Sequence, residues 1–203
     1  MTYNVIVAGV GGQGSILASH SLAEAAIQYS EQKDLGYRVR VGETFGAAQR
    51  GGAVASHVRI GEVFGPLIGK GKADLVIALE PLEGLRVGAE YLAKNGIAIL
   101  STKEQKPMDV KVGAAKYPSL DTIRDSLAQI GARVVAFDAE EIALRAGSPK
   151  CLNIVMVGAA FASGQLPFSE EALLDAIENN LPSKLWEMNR KAFALGKTAF
   201  LER

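Results

Sequence analysis

Tyr3-Asn4-Val5-Ile6-Val7-Ala8-Gly9-Val10-Gly11-Gly12-Gln13-Gly14 opens the chain with an apolar run followed at once by a glycine-rich turn, and Ser15–Tyr29 continues as a small-residue helical stretch. Strand, glycine turn and helix in that order aim backbone N–H groups and the positive end of a helix at an anion. Gly9, Gly11 and Gly14 spell G-x-G-x-x-G, placed where a first βα unit puts it. Glycine suits both a phosphate, which needs close backbone approach, and a turn through angles that other residues avoid. Two readings stand side by side at this point. One is an anion cradle of Gly9, Gly11, Gly12, Gln13, Gly14 and Ser15; the other is a packing turn, with Ser15 as a helix cap.

Outward from that turn, strand and helix signals alternate. Strands are predicted over Tyr3–Ala8, Tyr37–Val41, Ala53–Ile60, Leu75–Leu79, Ile97–Leu100 and Arg133–Phe137. Helices are predicted over Ser15–Tyr29, Glu83–Lys94, Ser119–Ile130, Glu140–Ala146, Leu152–Ser163, Ser169–Glu178 and about Ser183 to Leu201. Ser169 with Glu171 two positions on reads as an N-cap followed by an acidic first turn, and Pro182-Ser183 as the start of the last helix. Such alternation predicts an α/β fold, a Rossmann-like three-layer α/β/α arrangement on a mostly parallel sheet. The stretch Ser101–Pro118 is the expected excursion from the sheet, and residues 1–203 read as a single domain.

The 203 residues carry 22 basic and 22 acidic side chains, so nucleic acid or an anionic membrane surface has no electrostatic claim on the chain. No run approaches the ~18 apolar residues of a membrane span, and the first residues lack a basic signal-peptide segment. A soluble cytoplasmic protein is expected. The single cysteine, Cys151, cannot make an internal disulfide or hold an iron–sulfur cluster. It reads as a buried small hydrophobe. His20 and His57, the only histidines, have no clustered carboxylates around them in sequence; both read as packed side chains, and no metal site is expected.

A second glycine-rich segment, Gly42–Gly52, follows the second strand and should open beside the first turn, where carboxyl-end loops converge. Arg50 offers a planar, permanently charged fork for phosphate or carboxylate, with Gly51 and Gly52 turning the chain behind it. Glu43 stands roughly where a dinucleotide-binding protein places its ribose acid, though further along than the usual ~20 residues, and no helix is visible between the second and third strands. A turn with a solvated arginine is the competing reading. Glu80-Pro81 ends a strand, so Glu80 either faces the crevice or caps a helix.

Gly9–Gly14, the run Glu43–Gly52 into Ser56-His57-Val58-Arg59-Ile60-Gly61, Ala78-Leu79-Glu80-Pro81 with Arg86, Asn153–Ala159 and Asn189–Gly196 together resemble the gamma subunits of 2-oxoacid:ferredoxin oxidoreductases. Within that group the chain is most similar to the small, beta-type subunits of the indolepyruvate branch. Phe45 and Ala47 stand where that branch usually carries His and Met. The resemblance runs nearly end to end. It implies one subunit of a complex that oxidatively decarboxylates a 2-oxoacid, passes electrons to ferredoxin and leaves the acyl group on coenzyme A. It implies, too, a larger catalytic partner holding thiamine diphosphate and iron–sulfur clusters, while this chain completes the cleft and helps bind coenzyme A. No catalytic residue is assigned to it. Without its partner the chain is expected to cover its exposed apolar surface as a homodimer. A free-standing dinucleotide-binding dehydrogenase and a pure interaction module are the other readings that Gly9–Gly14 leaves open.

Overall fold

The computed structural model describes residues 1–46 and 52–203. Its elements are β1 (Thr2–Val10), α1 (Ser15–Gln32), β2 (Arg38–Phe45), β3 (Ala53–Gly61), β4 (Ala73–Ala78), α2 (Pro81–Tyr91), β5 (Leu92–Ser101), α3 (Met108–Lys111), α4 (Leu120–Gln129), β6 (Arg133–Phe137), α5 (Ala139–Ala146), α6 (Leu152–Ala162), α7 (Glu170–Asn179) and α8 (Trp186–Leu201). Short 3-10 turns at Pro149–Cys151 and Ser183–Leu185 lead into α6 and α8.

The six strands lie in the order β2-β3-β1-β4-β5-β6. β1, β4, β5 and β6 pair in parallel. β3 runs antiparallel to both β1 and β2. The sheet is therefore mostly parallel with one reversed strand. Reversal lets β2 and β3 join as a hairpin, whereas a parallel pair needs a crossover of a dozen or more residues. β2 also runs on past Val41 to Phe45, so Glu43 stands in a strand paired with Ser56 rather than in a loop. Helix α2 stops at Tyr91, and Leu92–Lys94, expected as its last turn, is instead the start of β5.

Side chains alternate across the strands, and each face has its own core. Val5 and Val7 of β1 face α1, α5, α6, α7 and α8, with Leu75, Ile77, Ile99 and Phe137 continuing that layer. Ile6 faces the other way, with Val76, Ala98 and Leu100, toward Ile123 and Leu127 of α4. Helix α6 is buried along Leu152–Ala160, so its nearly all-apolar sequence is a core helix. It crosses α8 closely because Gly158 and Gly196 remove the Cβ atoms that would strike the backbones of Phe193 and Val155. Ser119, Asp138 and Ser169 cap α4, α5 and α7 by accepting from the N–H of Thr122, Glu141 and Ala172. Ser183 does not cap α8; it opens the preceding 3-10 turn instead. No helix among the described residues is long and apolar enough to cross a membrane.

Candidate anion-binding cleft

β1 delivers the chain to the carboxyl edge of the sheet at Val10, and the turn from Gly11 to Gly14 feeds α1. Gly12 and Gly14 hold φ of +103° and +82°, the left-handed region where glycine is nearly free of cost. Gln13 clips the turn from within. Its Oε1 accepts from the Val10 N–H at 2.7 Å, and its Nε2 donates to the Leu79 carbonyl at 3.2 Å, tying the ends of β1 and β4. A Cβ on Gly9 would come within 2.8 Å of that Gln13 oxygen. Gly9 is thus a packing glycine of β1.

The turn does not offer all of its N–H groups. That of Gly11 donates to the Gly52 carbonyl at 2.9 Å, and that of Gln13 to the Val10 carbonyl at 3.1 Å. Among the described residues no hydrogen bond uses the N–H of Gly12 or Gly14, and the first turn of α1 (Ser15, Ile16, Leu17) has no intrahelical acceptors, as at every helix start. The N–H groups left without an acceptor among the described residues are therefore those of Gly12, Gly14 and the α1 first turn. Gly14 itself is the N-cap residue, and the Ser15 side chain neither caps the helix nor lines the cleft; it is buried. The Gly11–Gly52 bond sets Gly52, the last residue of the second glycine-rich segment, against the glycine turn. Arg50 and Gly51, with Ala47–Gln49, lie outside the described residues.

A cleft of about 590 Å³ opens at this point, lined by Gly12, Gly14, Leu17, Lys103, Lys150 and Asn153 among others. Lys103 comes from the excursion after β5 and is paired with Glu140, which raises its pKa. Lys150 comes from the turn before α6 and makes no ion pair among the described residues. Two helix N-termini, those of α1 and α6, flank the space, which lies outside the carboxyl ends of β1, β4 and β5 as expected for an open α/β sheet. Asn153 is 2% exposed. Its Nδ2 donates to the Gly14 carbonyl at 3.1 Å, while its Oδ1 is buried without a partner among the described residues. Lys103, Lys150 and Asn153 were not singled out as site residues from the sequence, but Asn153 had a signal. It is the one polar side chain in α6, and a lone amide in a buried helix needs a reason.

Glu43 takes no part in this cleft. Its carboxylate lies 3.4 Å from His20 Nε2 on α1, and among the described residues Oε1 has no partner of hydrogen-bonding geometry. The contact has ion-pair distance without hydrogen-bond alignment, so it is a loose one. Glu80 resolves as a cap. Its Oε2 accepts from the Glu83 N–H at 2.9 Å, and its Oε1 accepts from the Gln105 N–H and the Tyr117 hydroxyl. One buried carboxylate therefore starts α2 and pins both ends of the Lys103–Tyr117 excursion. Burial and that bond push the Tyr117 hydroxyl well above the ordinary tyrosine range. His57 is buried, accepts from the Ile68 N–H at 3.3 Å and packs edge-on against Tyr91. Cys151 is buried as well, and burial raises its thiol pKa.

The chain is 44% identical to the indolepyruvate oxidoreductase subunit IorB of Archaeoglobus fulgidus, over 97% of this chain and 94% of that one. It is similar in structure to the gamma subunit of a keto/oxoacid ferredoxin oxidoreductase from Geobacter sulfurreducens, with TM-score 0.71, 27% identity and 99% of each chain covered. It also shares its fold with part of a 2-oxoglutarate:ferredoxin oxidoreductase chain from Magnetococcus marinus, with TM-score 0.71 and 18% identity, covering 100% of this chain and 31% of that longer one. A family model described as pyruvate ferredoxin/flavodoxin oxidoreductase matches residues 4–199, so the chain belongs to that family, as a small subunit of the 2-oxoacid:ferredoxin oxidoreductase type.

Proposed function

We propose that this chain serves a complex that oxidatively decarboxylates a 2-oxoacid of the indolepyruvate or aryl-pyruvate class to an acyl-coenzyme A, with ferredoxin taking the electrons. The observation that carries the reading is the open glycine turn at the head of α1, facing a cleft that also presents Lys150. Gly12, Gly14 and the α1 first turn hold a phosphate of coenzyme A, Lys150 adds a charge, and Asn153 holds the turn in shape. Coenzyme A supplies the thiol that accepts the acyl group. Thiamine diphosphate and the clusters belong to a larger catalytic subunit, because the only cysteine here is buried and no Gly-Asp-Gly segment anchors a metal–diphosphate pair. The dehydrogenase reading loses its footing, since a hairpin replaces the second crossover helix and Glu43 turns to His20.

Arg50 is proposed to meet an anion as well, either a coenzyme A phosphate, a substrate carboxylate or an acid of the catalytic subunit. Lysine lacks its bidentate fork, so Arg50→Lys should impair the complex nearly as much as Arg50→Ala. The test is steady-state kinetics of the reconstituted complex with Gly12→Ala, Lys150→Ala and the two Arg50 variants. Loss of one charged phosphate contact is worth about 1.5–3 kcal/mol, so the apparent coenzyme A affinity should fall about ten- to a hundredfold with Lys150→Ala. An unchanged coenzyme A dependence in both Gly12→Ala and Lys150→Ala removes the cradle. Turnover by the isolated chain removes the subunit reading.

A further inference from the structure

Among the described residues β2 is the edge of the sheet, bonded to β3 on one side and to no strand on the other along Arg38–Phe45. An open edge strand presents unpaired backbone groups and is normally blunted or covered. The segment after β3 does not cover that edge. It folds over one face of the hairpin, where Pro66 takes up the space that a side chain at Gly42 would fill, its Cβ 2.9 Å from the position such a chain's first carbon would hold. Arg59 fixes this segment from beneath, with Nη1 donating to the Gly65 carbonyl at 2.9 Å and to that of Leu67 at 3.3 Å. The outcome is two large apolar side chains held out in water on an ordered base. Phe64 is 81% exposed and Leu67 55%.

An arginine stacks on the aromatic ring, although Glu62 is exposed two positions before it. The Arg38 guanidinium carbon lies 4.8 Å from the centre of the Phe64 ring, and Arg40 stands two residues along the same face of β2. Among the described residues neither arginine, nor Arg59, has an acidic partner, although the chain as a whole is neutral. Phenylalanine and arginine, ordered before binding and ringed by polar backbone, are the composition of an interface centre. A stacked aromatic and guanidinium lose little freedom when a partner arrives.

We infer that the β2 edge with Phe64, Leu67, Arg38 and Arg40 is the docking surface for the larger catalytic subunit, through an apolar patch rimmed by carboxylates on that subunit. The inference rests on the subunit reading above. A second copy of this chain fits less well, because continuing the sheet through a two-fold axis at β2 sets the Arg38–Arg40 rows of both copies on one face, like charge beside like. Phe64 and Arg38 sit by the start of β2, at the end of the sheet away from the carboxyl edge.

The test measures binding of the full chain to the thiamine- and cluster-bearing subunit by interferometry over a range of salt. Phe64→Asp and the double variant Arg38→Glu/Arg40→Glu should each weaken binding at least tenfold, and the charge variant should flatten the salt dependence of the association rate. Met108→Asp, on the excursion across the molecule and 68% exposed, should bind like the parent. All of these side chains are exposed, so unchanged melting temperatures separate docking from folding. If the parent binds and the patch variants bind equally well, the surface is wrong while the subunit reading survives. If the parent itself shows no affinity for that subunit, the subunit reading falls and the inference with it. A parent dimer that Phe64→Asp turns into a monomer assigns the patch to a second copy and overturns the inference.

Discussion

Gly12 and Gly14 sit in one turn, share the left-handed region, and differ in what surrounds them. A Cβ at Gly12 meets nothing within 4 Å, whereas a Cβ at Gly14 would lie 2.5 Å from Asn153 Nδ2 and 3.0 Å from its Cγ. Alanine at either position carries a backbone strain of about 1–2 kcal/mol. At Gly14 the collision adds about 1–3 kcal/mol, because Asn153 is buried in a core helix and cannot swing aside. Gly14→Ala should therefore cost about 2–5 kcal/mol and lower Tm by about 5–15 °C for a chain of this size, against about 1–2 kcal/mol for Gly12→Ala. Asn153→Ala loses one hydrogen bond to a carbonyl that still accepts from Ala18, and it removes the unpaired Oδ1, so its own cost should stay near 1 kcal/mol. The double variant Gly14→Ala/Asn153→Ala then recovers the collision and leaves the strain, a favourable coupling of about 1–3 kcal/mol. Urea titrations of the four variants, followed by circular dichroism, complete the cycle. Equal costs at Gly12 and Gly14, or no coupling with Asn153, would refute the reasoning, and glycine at 14 would then answer to its φ angle alone.

Glu80→Ala should leave the Glu83 and Gln105 N–H groups and the Tyr117 hydroxyl without an acceptor, cost about 2–4 kcal/mol and expose Lys103–Lys116 to trypsin at least tenfold faster under native conditions; unchanged cleavage means that the excursion is held by something else. Burial lowers the His57 pKa, with Glu90 opposing only in part. The unfolded chain therefore takes up that proton first, near pH 6.5, so stability should fall as pH drops from 6.5 through the lower folded value, and His57→Gln should flatten that slope in denaturation curves taken from pH 7 to 5. The Cys151 thiol, buried and with its pKa raised, should react with a thiol-specific disulfide reagent only at the rate of opening, and rapid labelling of the native chain would contradict its burial.

The alternation of strand and helix was legible because short apolar runs bounded by turn residues mark the buried strands, while longer apolar or amphipathic stretches mark the helices. Direction is a different matter. Ala53–Ile60 has the same pattern whichever way it runs, so nothing in it announces that β3 is reversed. The extension of β2 was hidden by Gly42, which reads as a turn and is tolerated in a strand here because Pro66 and Leu67 occupy the space its side chain would need. The switch from α2 to β5 at Leu92 was hidden for the opposite reason, since neither glycine nor proline punctuates Tyr91-Leu92. In the cleft, the glycines were visible as a motif, but which of their N–H groups remain available was not. That depends on Gly52, which is forty-one positions away in sequence and bonds to Gly11 only because the hairpin folds back.

The reversal of β3 also explains where the chain is unfinished. In a fully parallel sheet the connection after β2 is a helix that packs on the sheet and buries its edge region. A hairpin supplies no such helix, and the chain then returns from β3 to β4 through the short segment Glu62–Lys72, too brief to do more than cover one face. Arg38, Arg40, Phe64 and Leu67 are left on an uncovered edge, while the opposite half of the sheet, from β1 to β6, is sandwiched by helices on both faces. The same reversal brings Gly52 back to the glycine turn. A single change of strand direction thus both brings Gly52 to the candidate anion-binding turn and strips the β2 edge of its cover. A change from hairpin to crossover helix would undo both at once, which ties the cleft and the proposed docking edge to one topological feature.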